Sequence, residues 1–301
     1  LRLRERGMEV RSGALFDAMA RESGKTDPKG LAVLGDVVMR VPGYEAVMNQ
    51  FMDENPHSVV IPQIVYAHGL NRFDDQDYVV ASECFNSLSA SDLYKSQVDE
   101  FLFKKAYSAL ENRQLDDALL RFTELERRPV TDFTAPARYA IGYINYEKED
   151  FRDALEWFEK ASTDSRFTEI ANYYIMECRF MLKDYRYVSA NGDAMYEAVP
   201  DDRKPHLARI ISEAWLVLGD ADNARRYYEL GVSKGDSPDS RTDWFYSGSV
   251  LYAVKDYEGA IRSFSNMTER MDSLGQVANY HLGYSYIQTR NKVAALEAFR
   301  D

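Results

Sequence analysis

Small and aromatic residues recur along the chain with one fixed spacing. Gly142 is followed twelve positions later by Ala154, and Phe158 comes four positions after that. Six other places repeat this spacing, some with a substituted member: Gly35/Val47/Phe51, Gly69/Ala81/Phe85, Ala106/Ala118/Phe122, Ser212/Ala224/Tyr228, Gly248/Ala260/Phe264 and Gly283/Ala295/Phe299. An eighth copy, Met176/Val188/Gly192, departs from the pattern. Because successive copies start 34 to 37 residues apart, the chain is predicted to be a tandem array of repeats.

Each repeat is predicted to contain two helices. Apolar residues recur at three- and four-residue steps on both sides of a short polar turn, which is residues 147–150 in the repeat around Gly142. A turn of this length suits two antiparallel helices. The prolines lie between repeats or at helix starts, and Pro42 lies where a turn belongs, as expected for a residue without an amide proton. The small residues should let the two helices approach closely, with the aromatic residue filling the space between adjacent repeats.

Two runs in one repeat carry a family resemblance. Residues 140–143 (Ala-Ile-Gly-Tyr) and residues 150–154 (Asp-Phe-Arg-Asp-Ala), with the turn between them, resemble the tetratricopeptide repeat. The resemblance covers about residues 28–301 and implies an all-α fold, a right-handed solenoid of antiparallel helix–turn–helix units. The repeat boundaries expected from it are 28–61, 62–98, 99–134, 135–168, 169–204, 205–240, 241–275 and 276–301, the last of them truncated.

The resemblance also carries expectations about the ends and about one irregular repeat. Residues 1–27 are expected to be the helical tail of a preceding repeat, and the whole chain a piece of a longer protein. The repeat at 169–204 has lost its second-helix signature, since Asn191-Gly192-Asp193 stands where an apolar turn of helix is expected. A distorted or shortened second helix is predicted there.

The charge of the chain argues against nucleic acid as a partner. Lys and Arg number 37 and Asp and Glu 49, which gives a formal net charge of −12. Binding to phosphates needs a basic surface, so the RNA-reading pentatricopeptide repeat, the rival helical repeat of this length, is disfavoured. No apolar run reaches the 18 residues that a transmembrane helix needs, and no direct membrane insertion is expected in this fragment.

The sequence offers no pattern typical of a catalytic, metal or cofactor site. Residues 23–26 (Ser-Gly-Lys-Thr) imitate the end of a phosphate-binding loop, but Met19 stands where that motif requires glycine. The four histidines are scattered without a second ligand at helical spacing. The chain is therefore predicted to be no enzyme, with no cofactor and no metal ion.

The first helices are expected to line the concave surface of the solenoid. Three positions on each of them share one face: three residues before the small residue of the pattern, one after it and four after it. Tyr107, Tyr143 and Tyr284 are the most informative, because the resemblance implies a polar residue there. The predicted partner-binding groove consists of Tyr66, Phe103, Tyr107, Tyr139, Tyr143, Tyr146, Tyr173, Phe245, Tyr280 and Tyr284.

The favoured function is a non-enzymatic scaffold that binds a partner peptide or protein in this groove. Two alternatives remain open: a regulatory or substrate-presenting region of a larger enzyme, and a structural spacer. The degenerate, tyrosine-rich repeats resemble those of long bacterial repeat proteins of the cell envelope, which implies a periplasmic setting, with the cytoplasm as the alternative. The truncated last repeat exposes Leu296 and Phe299, so self-association through that end is a further expectation.

Overall fold

The structure is a computed structural model that describes residues 43–233, 238, 240–267 and 272–300. Within this part it contains fifteen α-helices, a short 3-10 helix at Ala90–Asp92 and no strand. The helices are α1 (Tyr44–Glu54), α2 (Ile61–Asp74), α3 (Tyr78–Asn86), α4 (Val98–Glu111), α5 (Leu115–Glu126), α6 (Thr134–Glu147), α7 (Phe151–Ala161), α8 (Thr168–Met181), α9 (Tyr185–Ala198), α10 (Lys204–Val217), α11 (Ala221–Ser233), α12 (Arg241–Ala253), α13 (Tyr257–Ser265), α14 (Ser273–Gln288) and α15 (Lys292–Ala298).

Several sequence predictions lie outside the described residues. They are the helical tail at 1–27, the loop-like run at 23–26 and the first helix of the repeat at 28–61 with its Gly35. The side chains of Val47 and Phe51 also lie outside the description, so the first copy of the spacing pattern stays a prediction.

The chain divides into two compact bodies, one up to Ile144 and one from Asn145 onward. In the first body, α2 pairs with α3 and α4 with α5, while α3 packs on α4 and the first helices α2 and α4 touch. In the second body, each hairpin from α8/α9 to α14/α15 packs on the next, and the first helices α8, α10, α12 and α14 touch in series. The predicted fold class, an all-α solenoid of antiparallel helix–turn–helix repeats, is confirmed.

In seven hairpin turns of the described residues, one residue adopts a left-handed backbone conformation. It always stands seven positions after the small residue of the spacing pattern, with φ between 60° and 65° in six turns and 83° at Gly219. The six non-glycine residues are Gln76, Arg113, Glu149, Lys183, Lys255 and Arg290. The next residue is usually Asp or Asn, whose side chain accepts a hydrogen bond from a backbone amide of the second helix, as Asp77 does from Val80. These turns therefore share one geometry, including the turn of the irregular repeat.

Gly219→Ala should destabilise the second body by about 1 kcal/mol. The left-handed conformation costs a residue with a Cβ about 1–2 kcal/mol, and the smaller entropy of the unfolded chain returns about 0.4–1 kcal/mol. Glu149→Ala is the matched control, because Glu149 already carries a Cβ at φ 60° in the same turn position. Urea unfolding followed by circular dichroism compares the two. Equal midpoints for both variants would show that the left-handed residue carries no strain.

The spacing pattern works by close packing, as predicted. Ala81, Ala118, Ala154, Ala224 and Ala260 are all fully buried, and so are Phe85, Phe122, Phe158 and Phe264. A Cβ built on Gly69 would lie 2.7 Å from the Phe85 ring, and one on Gly248 would lie 2.7 Å from the Phe264 ring. Phe85 also contacts Phe101 of the following repeat, with ring centroids 6.0 Å apart. The aromatic residue thus packs on the small residue of its own hairpin and on the next repeat.

The predicted shortening of the second helix at 169–204 is wrong. Helix α9 runs from Tyr185 to Ala198, 14 residues, without interruption. In this repeat the large and small residues of the pattern have exchanged places, with buried Met176 at the small position and Gly192 at the aromatic one. A Cβ on Gly192 would lie 2.8 Å from Ile211, so the glycine here accommodates the first helix of the next repeat. Because the large and the small side chain have exchanged positions, the total side-chain volume is kept, and helix α9 packs without distortion.

Candidate functional site

The predicted groove residues lie on first helices, and they divide between the two bodies. Tyr66, Phe103, Tyr107, Tyr139 and Tyr143 belong to the first body, on α2, α4 and α6. Tyr146, Tyr173, Phe245, Tyr280 and Tyr284 belong to the second body, on α6, α8, α12 and α14. Their exposure differs widely, and it separates side chains that can meet a ligand from those that support the helices.

Tyr66 and Tyr173 are almost completely buried, at 3% and 4% exposure. The ring of Tyr66 lies 6.1 Å from Phe101, and its hydroxyl donates to Glu100 Oε2 at 3.2 Å. Since Phe101 and Glu100 belong to the following repeat, Tyr66 joins two hairpins of the first body. Both tyrosines contribute packing between repeats rather than open surface.

Phe73, Tyr78, Phe103 and Tyr107 form a contiguous set of half-buried rings, which we call the N-terminal aromatic cluster. The Tyr107 ring lies 5.5 Å from Phe73, 5.8 Å from Tyr78 and 6.1 Å from Phe103. Phe103 is supported from below by Phe122 and Phe133, at 5.7 Å and 5.4 Å. Tyr139 and Tyr143, also half-buried, continue the same helix-face positions on α6.

Charged groups border this cluster. The ammonium group of Lys104 lies 4.6 Å from the centre of the Phe73 ring and 3.1 Å from Asp74 Oδ1. The Tyr107 hydroxyl faces the Glu111 carboxylate, and burial, followed by this neighbour, raises the pKa of Tyr107. The tyrosine is therefore protonated and able to donate a hydrogen bond at any physiological pH.

In the second body a buried carboxylate occupies the position that tyrosine holds elsewhere. Glu177 is 5% exposed. The Tyr173 hydroxyl donates to its Oε1, and His206 Nδ1 lies 3.0 Å from the same oxygen. Burial alone would raise the pKa of Glu177, but hydrogen bonds from His206, Tyr173 and Tyr146 outweigh it and hold the pKa below its usual value. The ionised carboxylate thus links α8 to α10.

Glu177→Gln should weaken the second body at neutral pH and flatten its acid sensitivity. Loss of the charged acceptor costs about 1–3 kcal/mol when buried donors lose their partner. Because the folded pKa lies below the ordinary 4.5, the carboxylate contributes stability above pH 4.5 that is lost as the pH falls further. Urea unfolding at pH 7 and pH 3.5 measures the difference between wild type and variant. A difference that stays constant or grows toward acid pH would contradict this assignment.

A second aromatic set lies at the end of the chain: Tyr252, Tyr257, Tyr280, His281 and Tyr284, the C-terminal aromatic cluster. His281 stacks on Tyr252 with centroids 4.3 Å apart, and Tyr284 lies 5.9 Å from Tyr252. Tyr280 is 58% exposed and Tyr284 36% exposed, the largest exposures among the predicted groove residues. Phe245 is half-buried against Phe264, 6.1 Å away.

The groove prediction omitted the first residue of the second helices. Tyr78 lies 5.4 Å from Phe73, and the same edge-to-face pair recurs as Tyr146–Phe151, Phe180–Tyr185 and Tyr252–Tyr257. The signal was present in the sequence, since each pair is an aromatic residue followed by another five positions later across the turn. These pairs close the hairpins and extend the aromatic face onto the turn.

No group of three or more His, Cys, Asp or Glu residues among the described residues is placed to hold a metal ion. None of the described helices has the length and apolar character needed to cross a membrane.

Comparison with known proteins agrees with this geometry. Residues 103–165 match the family model of the tetratricopeptide repeat, while no curated protein sequence matches the chain significantly. The crystal structure of the apo form of RapI is similar in fold, with a TM-score of 0.55 and 13% identity, covering 96% of this chain and 91% of RapI. A tetratricopeptide repeat protein from Parabacteroides merdae aligns with a TM-score of 0.47 at 13% identity, covering 96% of this chain and 98% of that one.

A third similar structure is the Cut9 and Hcn1 hetero-tetramer of APC/C, with a TM-score of 0.45 and 12% identity over 96% of this chain and 54% of that one. At such identities the likeness concerns the fold alone. The sequence match identifies tetratricopeptide repeats at residues 103–165, and the hairpins of the other described residues share their helix–turn–helix geometry.

Proposed function

We propose that the chain is a non-enzymatic scaffold that binds a peptide segment of a partner protein on the aromatic face of its first helices. The supporting observation is the N-terminal aromatic cluster, four adjoining rings that are half-buried yet accessible. The tetratricopeptide fold is typical of interaction scaffolds, and large aromatic side chains are the usual anchors of such contacts.

The cluster suits a peptide because its parts are already held in place. Phe122 and Phe133 support Phe103 from behind, so the rings lose little freedom on binding. Tyrosine adds a large apolar surface and a hydroxyl that can donate to a peptide carbonyl. A peptide anchored by two or three such rings would bind with a Kd of about 1 µM, or about −8 kcal/mol.

The C-terminal aromatic cluster supports a second contact of the same kind. Tyr280 and Tyr284 are the most exposed of the predicted groove residues. Among the described residues, none forms a hydrogen bond with either hydroxyl. The exposed parts of these two rings and their hydroxyl groups are therefore available to a ligand.

Selection from a displayed library of random twelve-residue peptides tests this function without a known partner. The purified wild-type chain should enrich a family of related peptides. Against one synthetic member, Tyr107→Ala with Tyr143→Ala should weaken binding by at least about tenfold, since truncating an interface anchor costs more than about 1 kcal/mol. The measurement is a fluorescence-anisotropy titration with the labelled peptide.

Two further variants keep the experiment decisive. Tyr107→Leu with Tyr143→Leu retains apolar volume, so a loss of binding in this variant is not explained by unfolding. Leu120→Ala is the matched control, because Leu120 is 59% exposed on the second helix α5. Unchanged affinity in both tyrosine variants, or failure of the wild type to enrich any peptide, would favour the structural spacer instead.

A further inference from the structure

The N-terminal aromatic cluster already binds one cation of its own chain. The Lys104 ammonium group lies over Phe73, 4.6 Å from the ring centre, and contacts Asp74 at 3.1 Å and Glu100 at 3.7 Å. Its side chain is only 16% exposed. An aromatic ring flanked by carboxylates attracts a cation through both the ring face and the charges.

One repeat further on, the carboxylate recurs without a cation, and Leu110 stands at the position equivalent to Phe73. Glu111 stands five residues after Ala106, as Asp74 stands five after Gly69. The rings of Tyr107 and Tyr78 have centroids 5.8 Å apart, and burial, together with the charge of Glu111 that acts on both hydroxyls, raises the pKa of each tyrosine. The position equivalent to Lys104 is Ala140, which cannot supply an ammonium group. In the described residues no Lys or Arg forms an ion pair with Glu111.

A hydrogen bond beside Glu111 also fixes the position of Tyr78. The Asn112 side-chain amide, next to Glu111 at the end of α4, donates to the carbonyl oxygen of Tyr78 at 2.9 Å. This bond holds the start of α3 against the end of α4. The carboxylate of Glu111 is exposed, whereas the two tyrosine rings are half-buried. The rings of Tyr78 and Tyr107 and the carboxylate of Glu111 therefore form a small open binding site, which we call the receptor, on the turn side of the cluster.

The charge of the first body favours a basic ligand. Its described residues include nine Lys and Arg against sixteen Asp and Glu. A surface with this excess attracts cationic segments and repels acidic or phosphorylated ones.

We propose that the bound peptide carries a lysine or arginine side chain that enters the receptor formed by Tyr78, Tyr107 and Glu111. This rests on the proposed function, because it specifies the ligand of the same surface. The cation lies against the tyrosine rings and pairs with the Glu111 carboxylate. The contacts that Lys104 makes with Phe73 and Asp74 of the preceding repeat show how a cation pairs with a ring and a carboxylate on this surface.

The peptides enriched on the wild-type chain provide the probe. We expect them to share one Lys or Arg at a fixed position. Replacing that residue by Met in the synthetic peptide should weaken binding about tenfold. Glu111→Gln should weaken binding of the basic peptide by a similar factor and leave the affinity of the Met peptide unchanged. Glu83→Gln, an exposed carboxylate on the second helix α3, is the matched control and should change neither affinity.

The outcomes separate this inference from the proposed function. If peptides bind and depend on Tyr107 but carry no fixed cation, or if Glu111→Gln binds the basic peptide as tightly as wild type, the basic ligand is disproved and peptide binding stands. If the enriched sequences are acidic, the charge argument is overturned directly. If binding ignores Tyr107 and Tyr143 altogether, the proposed function fails and the inference with it.

Discussion

Phe85→Ala should lower the free energy of unfolding of the first body by about 3–5 kcal/mol, the largest effect expected of a single truncation. Phe85 is fully buried and packs between Tyr66 and Phe101, with ring centroids 6.3 Å and 6.0 Å away. Removing the ring leaves a cavity at the junction of two repeats. Urea unfolding followed by far-UV circular dichroism measures the loss.

The chain provides a matched control in the same repeat position. Phe299 occupies the aromatic place of the last repeat and packs on Gly283, but 47% of it is exposed. Phe299→Ala should therefore cost clearly less than Phe85→Ala. Equal losses at the two positions would mean that burial between repeats is not the source of the stability.

The small position should be coupled to the aromatic one. A Cβ on Gly69 would lie 2.7 Å from the Phe85 ring, so Gly69→Ala forces the ring to move. Overpacking of this kind costs about 1–3 kcal/mol. In a Phe85→Leu background the smaller side chain leaves room, and Gly69→Ala should then cost less. Additive effects in this double-mutant cycle would contradict direct packing of the two residues.

Asp243→Ala should destabilise the second body by about 2–4 kcal/mol, as the sum of a lost helix cap and a broken, mostly buried ion pair. Asp243 is 7% exposed and accepts hydrogen bonds from the backbone and hydroxyl of Ser240 at the start of α12. It also pairs with Arg209 on α10. One carboxylate thus caps a helix and joins two repeats, and removal leaves Arg209 without this partner.

Asp272→Ala is the control for that effect. Asp272 likewise caps a helix, accepting from the Gly275 amide, and pairs with Arg241 of the preceding repeat. Its side chain is 55% exposed, so solvent screens the pair and water replaces the lost contacts. Thermal and urea unfolding should show a smaller loss than for Asp243→Ala. A loss at Asp272 as large as that at Asp243 would argue against burial as the cause.

The repeat pattern made much of the fold predictable. Gly69 packs on Phe85 because a small residue leaves room for a large ring. The spacing that predicts this contact lies within forty residues of sequence. The turn positions could also be located, but not their left-handed residues, because six of the seven are not glycine. The packing of the two helices of each hairpin imposes the left-handed conformation on these residues. The intrinsic preference of the residue type does not predict it. The division into two bodies had no signal in composition or spacing.

The candidate site was less predictable than the fold. Position on a helix face identifies Tyr66 and Tyr107 equally, yet Tyr66 is buried by Phe101 of the next repeat and Tyr107 remains accessible. Which of them reaches solvent depends on neighbours more than thirty residues away. Glu177 is a similar case, since its ionised state depends on His206. A spacing pattern within one repeat does not predict such contacts between repeats.

Site-specific photo-crosslinking tests most directly whether the first-helix face binds the peptide. A benzophenone amino acid is introduced in place of Tyr107 and, in a separate protein, in place of Leu120 on the second helix α5. The labelled peptide from the library selection is irradiated with each, and adducts are mapped by mass spectrometry. Binding to the aromatic face predicts an adduct from position 107 and none from position 120. An adduct from position 120 alone, or equal yields from both, would contradict it.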